Sequence, residues 1–154
     1  MTGNRVKIID TPLGICSLKY LYLDKNQIVS FQNNPLSCCT KLEVLTIKEN
    51  RIRSLTDMGT INTLKRFDIT SNKIIDVLQL SNLNMPNLEE LNFLNNQIEN
   101  EPFARYCALY YIPSLSVVNN KIITMTDREK AKTIGSPSNP LMKLIKLTVS
   151  HYIQ

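Results

Sequence analysis

The sequence predicts an α/β solenoid, right-handed, with a curved parallel sheet on its concave face and short 3₁₀ or α turns on its convex face. Three observations predict it. The stretch LKYLYLDKNQI from Leu18 recurs as LEVLTIKENRI from Leu42, LKRFDITSNKI from Leu64 and LEELNFLNNQI from Leu88, a nearly constant period. At the key positions of that pattern every copy carries the expected Leu, Asn or Ile or a near-equivalent such as Ile47, Ile69 or Phe93, except that Phe67 is a bulkier stand-in. Finally, the centre of each LxxLxL alternates in character as a short strand requires. One such strand cannot cover its own apolar side, whereas stacked copies share a continuous core.

A fixed period of this length with this signature resembles the leucine-rich-repeat family over most of the chain. In the first copy Leu21 and Leu23 point inward while Tyr20, Tyr22 and Asp24 point outward. The chain must then turn sharply, and the turn's backbone groups need partners. Asn26, Asn50, Asn72 and Asn96 each offer an amide that donates and accepts, and the resemblance implies that they form a structural ladder.

Three positions beyond each closing Ile comes another apolar residue: Ile28 to Phe31, Ile52 to Leu55, Ile74 to Val77. The same step runs from Val6 to Ile9, with Asn4 one repeat length ahead of Asn26. The sequence therefore opens in mid-repeat: either a preceding strand has been lost by truncation, or the first core layer is open at its edge. The returning segments carry apolar pairs three apart, Leu36 with Cys39, Met58 with Ile61 and Leu80 with Leu83, which suit short 3₁₀ or α turns. Repeat length and the Asn-x-Ile-x-x-apolar continuation resemble the Sds-type subclass of protein-phosphatase-1 regulators.

From Leu88 to the next leucine of the pattern, Leu115, the interval lengthens. Pro102 opens a helix-compatible run, and Ile112, Pro113 and Leu115 lead into a last strand. Arg105, Ala108, Leu109, Ile112, Pro113, Leu115, Val118, Ile123, Thr124 and Arg128 match the pattern of the C-terminal cap that follows such arrays in the U2 ribonucleoprotein A-prime subunit and in ciliary and phosphatase-linked relatives. Ala104 stands where that pattern has an aromatic, whose space Phe103 or Tyr106 can fill. Asn119 and Asn120 replace its Asp and Gly. Thr126 with Glu129 reads as a capping box for a helix through about Ile134. The expected organisation is a repeat domain over 1–134 (a partial repeat at 4–17, repeats starting at 18, 42, 64 and 88, a cap at 100–134), a linker at 135–140 and a segment at 141–154. The last reads either as a decayed further repeat, with Tyr152 in the place of Asn, or as an amphipathic partner-binding segment.

Composition narrows the function classes. With 154 residues, 43% of them hydrophobic and 20% charged, the chain has the means to build a core. No run of eighteen apolar residues is present, so no membrane span is expected, and MTGNRVKIID lacks the apolar run of a signal peptide. Cys16, Cys38, Cys39 and Cys107 form no CxxC pair and read as small buried or half-buried thiols. A cytoplasmic or nuclear protein that is not secreted is the expectation. The net charge of +5 is uneven: residues 1–123 hold 13 basic against 11 acidic side chains, and residues 124–154 hold 5 against 2. Direct nucleic-acid binding needs a basic stripe, and the repeats show none.

No nucleophile elbow, phosphate loop or zinc spacing occurs, and His151 is the single histidine. Neither an enzyme nor a cofactor, metal or small-molecule substrate is expected. Function then falls to the outward strand positions, which stack into rows about 4.8 Å apart: Tyr20, Val44, Arg66, Glu90 and Val117; Tyr22, Thr46, Asp68, Asn92 and Asn119; Asp24, Lys48, Thr70 and Leu94. Tyr20, Tyr22 and Arg66 are the natural interface anchors, and the expected partner-binding set is Tyr20, Tyr22, Val44, Lys48, Arg66, Asp68, Glu90, Asn92 and Leu94. The plainer alternatives are cross-strand packing for the tyrosines and mutual neutralisation for Arg66 and Glu90. A protein-binding scaffold or regulatory subunit is the leading reading. A ribonucleoprotein assembly subunit, binding an RNA-binding protein and touching RNA through Lys121, Arg128, Lys130 and Lys132, is the second. A phosphatase-regulating, ciliary or cytoskeletal adaptor is the third.

Overall fold

Two leucines flanking one residue share a side across the pleat of a strand but fall on nearly opposite sides of a helix, and each repeat here takes the strand. The computed structural model describes residues 3–10, 17–136 and 139–140. Its strands are β1 (Ile8–Ile9), β2 (Tyr20–Tyr22), β3 (Ser30–Phe31), β4 (Val44–Thr46), β5 (Arg66–Asp68), β6 (Glu90–Asn92), β7 (Val117–Val118) and β8 (Lys121–Ile122). The main sheet runs β2-β4-β5-β6-β7-β8, parallel up to β7, with β8 antiparallel.

The register aligns like with like. Leu21, Leu45, Phe67, Leu91 and Val118 pair in one inward row, and Leu23, Ile47, Ile69 and Phe93 form a second. All are buried, as are Ile28, Ile52, Ile74 and Ile98. Each contributes about 1.5–3 kcal/mol by leaving water.

The opening stretch lies against the first repeat. Ile8 and Ile9 pair in parallel with Ser30 and Phe31, making a two-stranded sheet from the apolar continuations, and the Val6 N–H donates to Asn26 Oδ1 at 3.3 Å. Residues 11–16, with Cys16, lie outside the described residues. The return segments bury Leu36, Cys39, Met58, Ile61, Leu80 and Leu83. One becomes a 3₁₀ turn over Val77–Asn82, started by Asp76, whose carboxylate accepts the Leu78 N–H at 2.8 Å.

The cap consists of helix α1 (Ala104–Tyr111), the β7–β8 hairpin and helix α2 (Met125–Gly135). Two expectations change here, and one strand is new. The capping box is formed by Thr124 and Asp127 rather than Thr126 and Glu129: the Thr124 hydroxyl accepts the Asp127 N–H at 3.2 Å and Asp127 Oδ2 accepts the Thr124 N–H at 2.9 Å. Thr124 is the last residue with extended backbone, so its spacing to Asp127 decides the cap. Gly135 closes α2 instead of opening a linker, and it is buried against the Tyr110 ring, where a Cβ would collide. The strand β8 was not expected. The reading of 141–154, with His151 and Tyr152, lies outside the described residues.

Candidate functional site

The outward side chains fall into the predicted rows, because the register pairs Tyr20 with Val44, Val44 with Arg66, Arg66 with Glu90 and Glu90 with Val117. At one end of the concave face stand Tyr20 and Tyr22, 53% and 49% exposed. Val44 on the next strand, and Asp68 and Leu94 further along the sheet, are half-buried.

Charges on this face are mostly paired. The Arg66 Nε–H donates to Glu90 Oε2 at 2.7 Å, with 57% of the arginine side chain exposed. A pair so open to water contributes about 0–1 kcal/mol and yields readily to a competitor. Lys48 Nζ lies 3.9 Å from Asp24 Oδ2, and Asp24 Oδ1 accepts the Lys48 N–H at 2.8 Å. Asp68 Oδ1 accepts the Thr70 N–H at 3.0 Å.

Beneath the rows lies the ladder. The Asn50 amide donates to the carbonyls of Ile47 and Lys48 in its own repeat and of Leu23 in the preceding one, each at 3.0 Å, and accepts the Ile28 N–H at 2.9 Å. Asn72 does the same with Ile69, Thr70, Ile47 and Ile52. Asn96 repeats it with Phe93, Leu94, Ile69 and Ile74. The residue before each amide takes left-handed backbone: Lys25 at φ 56°, Glu49 at 53°, Ser71 at 58° and Asn95 at 55°. That conformation costs an L-residue roughly 1–2 kcal/mol, and the amide bonds to the turn's carbonyls offset it.

Two residues leave the predicted face. Asn92, expected among the contact residues, is 5% exposed; its amide donates to Glu90 Oε1 at 3.2 Å and accepts the Asn120 N–H at 3.0 Å. Asn119 accepts the Phe93 N–H at 2.8 Å. Both changes have one cause: Asn119 and Asn120 adopt φ 52° and 60°, a turn with left-handed backbone at both centres, which folds over the end of β6. Thr46 is also sunk, 7% exposed, and its hydroxyl is buried without a hydrogen-bond partner.

One contact candidate was missed. Directly opposed residues of an antiparallel pair share a face, so Ile122, which pairs with Val117, extends the Tyr20 row by one strand and is 78% exposed. The signal was present: Asn-Asn between two short apolar runs marks a tight hairpin.

Two of the cap's basic residues make contacts within the cap. The Arg128 guanidinium donates to the carbonyls of Pro113 and Leu115, both at 2.8 Å, and Lys130 Nζ sits 5.9 Å from the centre of the Tyr106 ring. Lys121 and Lys132 are exposed. Arg105 pins the hairpin to α2 through the Val118 carbonyl at 3.0 Å, the Ile122 carbonyl at 2.9 Å and Asp127 Oδ2 at 3.3 Å. The backbone N–H of Thr124, then the Thr124 hydroxyl and Arg105, hold the Asp127 carboxyl below its ordinary range. Burial, with a lesser push from Glu101, raises the Cys107 thiol to about 11, so it stays protonated and unreactive at neutral pH. Cys39 is buried and Cys38 half-buried.

Stacked parallel strands, an asparagine ladder and a helix–hairpin–helix cap define a leucine-rich-repeat solenoid with an exposed, mixed aromatic and charged sheet face. No protein-family model matches the chain. A chain in the crystal structure of the Drosophila melanogaster SNF/U2A′ complex superposes with a TM-score of 0.76 at 21% identity, covering 94% of this chain and 85% of that one. The U2 small nuclear ribonucleoprotein A′ of Arabidopsis thaliana is 26% identical over 141 residues, 88% of this chain and 55% of that protein. The probable U2 small nuclear ribonucleoprotein A′ of Caenorhabditis elegans is 26% identical over 137 residues, 86% of this chain and 53% of that protein. Nephrocan of Mus musculus is 32% identical over 81 residues, 53% of this chain. The chain thus spans from 16% to 55% of the length of the three sequence relatives, nephrocan and the two U2 A′ proteins. Its fold is U2A′-like, and at these identities the likeness is one of architecture.

Proposed function

We propose that the chain is a protein-interaction scaffold or regulatory subunit that takes a partner on its concave face, acting in the cytoplasm or nucleus. The observation that carries this reading is the pair of tyrosines, Tyr20 and Tyr22, each about half exposed on rigid strands that the core and ladder hold in place. Tyrosines on a fixed sheet lose little freedom on binding and bring large contact area. Val44 and Leu94 add apolar surface, while Lys48, Arg66, Asp68 and Glu90 supply registration. The chain's architectural relative U2A′ is seen in a complex with SNF, which favours a protein partner. Replacing Tyr20, Tyr22 and Arg66 together by alanine should abolish partner recovery from native extracts with the melting temperature unchanged. Retained recovery would move the site off this face.

The second reading, a subunit of ribonucleoprotein assembly, is favoured by the two U2 A′ relatives that align over most of the chain. In this reading the bound partner is itself an RNA-binding protein. The commitment of Arg128 to two carbonyls removes it from the expected RNA contacts and leaves Lys121, Lys130 and Lys132. Salt-sensitive binding of RNA by the isolated chain would support direct contact; RNA retained only through a captured protein would assign the contact to the partner. The third reading, a phosphatase-regulating, ciliary or cytoskeletal adaptor of the Sds-type subclass, rests on repeat length and the Asn-x-Ile-x-x-apolar continuation.

A further inference from the structure

Among the described residues, the three outward rows carry five charged side chains, and four of them neutralise one another: Asp24 with Lys48 and Arg66 with Glu90. Asp68 is the fifth. Among the described residues no cation forms an ion pair with it, and its carboxylate accepts one hydrogen bond, the Thr70 N–H on Oδ1. It stands at the centre of the sheet, in the row of Tyr22 and Thr46, half-buried, where water screens it less than it would a rim carboxylate. Its neighbour Thr46 makes no hydrogen bond to it: that hydroxyl is buried without a partner.

Thr46, Asn92 and the Arg66–Glu90 pair stand next to Asp68, and beyond them apolar side chains lie on both sides. Tyr20 and Tyr22 lie two strands away, about 10 Å at the usual spacing. Val117 and the exposed Ile122 lie two and three strands away on the other side, about 10 and 14 Å. The layout is aromatic, then acidic, then aliphatic. A partner that covers the face must desolvate Asp68, and a carboxylate desolvated without a counter-charge is strongly unfavourable.

We infer that the concave face selects a contact segment bearing one lysine or arginine between two apolar side chains, the cation on Asp68 and the apolar ends on Tyr20/Tyr22 and Val117/Ile122. This inference rests on the concave-face reading above and names the chemistry of the partner. The free Oδ2 of Asp68 receives the cation. A segment with an acidic residue at that position is rejected, so the carboxylate supplies specificity as well as attraction.

The test is a phage-displayed library of random peptides, each about as long as the sheet is wide, selected on the wild-type chain, with enriched peptides then synthesised and titrated against variants. The expected result is enrichment of Lys or Arg at a position flanked on both sides by apolar residues. Binding should weaken roughly tenfold or more on Asp68→Asn, which keeps an oxygen for the Thr70 N–H and so keeps the fold. Selection on Asp68→Lys should favour acidic residues at the same position. Peptides that lose affinity for the Tyr20→Ala/Tyr22→Ala variant but not for Asp68→Asn would overturn the cation preference and leave the concave-face reading standing. Peptides indifferent to the tyrosine substitutions would overturn both, as would a library that yields no binder.

Discussion

The side-chain amide of Asn50 donates to the carbonyl of Leu23, one repeat upstream, at 3.0 Å, so each rung ties the turn of its own repeat to the strand end of the one before. Asn50→Ala leaves the buried Ile28 N–H without its acceptor and takes one of two donors from each of the Leu23, Ile47 and Lys48 carbonyls, which keep Asn26, Asn72 and the Lys25 N–H. A loss of about 3 kcal/mol is expected, read as a lower urea midpoint, with Asn72→Ala giving a similar loss. Glu49→Gly, at the adjacent position, should change stability by less than about 1 kcal/mol, since glycine accepts φ 53° freely but costs more entropy on folding. Equal effects at 49 and 50 would refute the rung.

Thr46→Val should stabilise the chain. The substitution removes a buried hydroxyl that has no partner and keeps the shape and β-branching that the strand favours. The expected gain is about 1 kcal/mol, or about 2–4 °C in Tm for a chain of this size. A lower Tm by calorimetry would mean that the hydroxyl finds a partner in solution.

Gly135→Ala should destabilise the cap, by about 1–3 kcal/mol, although alanine is the better helix former. The Tyr110 ring occupies the space that a Cβ at 135 would need. Pairing it with Tyr110→Ala should recover part of the loss, and a double-mutant cycle that shows no coupling would contradict the contact.

Acid should act partly through Asp127. Its carboxyl titrates below the ordinary 3.8 in the folded chain, so the stability it contributes is fully present above about pH 4 and disappears as pH falls through the lower, folded value. Asp127→Asn should lower stability at neutral pH and flatten the loss below about pH 4, measured by denaturant melts across the acid range. A slope as steep as wild type would place the acid sensitivity at other carboxylates.

The array was legible in the sequence because its cause is repetitive. Leu21, Leu45, Phe67 and Leu91 obey one spacing, and that spacing fixes both which side is buried and which residues stand next to each other in the rows. The cap was less legible because its causes are singular. Thr124 and Thr126 both precede an acidic residue by three positions, and only the backbone at Thr124 decides between them. Gly135 sits in a stretch whose composition marks a linker, yet Tyr110, on the preceding helix, requires it inside α2. The site divides in the same way. Tyr20, Arg66 and Asp68 follow from the register, while the withdrawal of Asn92 and the addition of Ile122 come from a turn with two left-handed residues that belongs to no repeat.

The same left-handed backbone recurs at Lys25, Glu49, Ser71 and Asn95, four positions whose side chains differ in charge, length and polarity. Along that rim the alphabet open to substitution is set by shape near the main chain rather than by chemistry at the tip. Acids, bases, amides and glycine are admissible, whereas valine, isoleucine and threonine crowd the carbonyl and are not. A designer could repaint the rim's electrostatic pattern at will within that vocabulary, leaving the scaffold beneath it undisturbed.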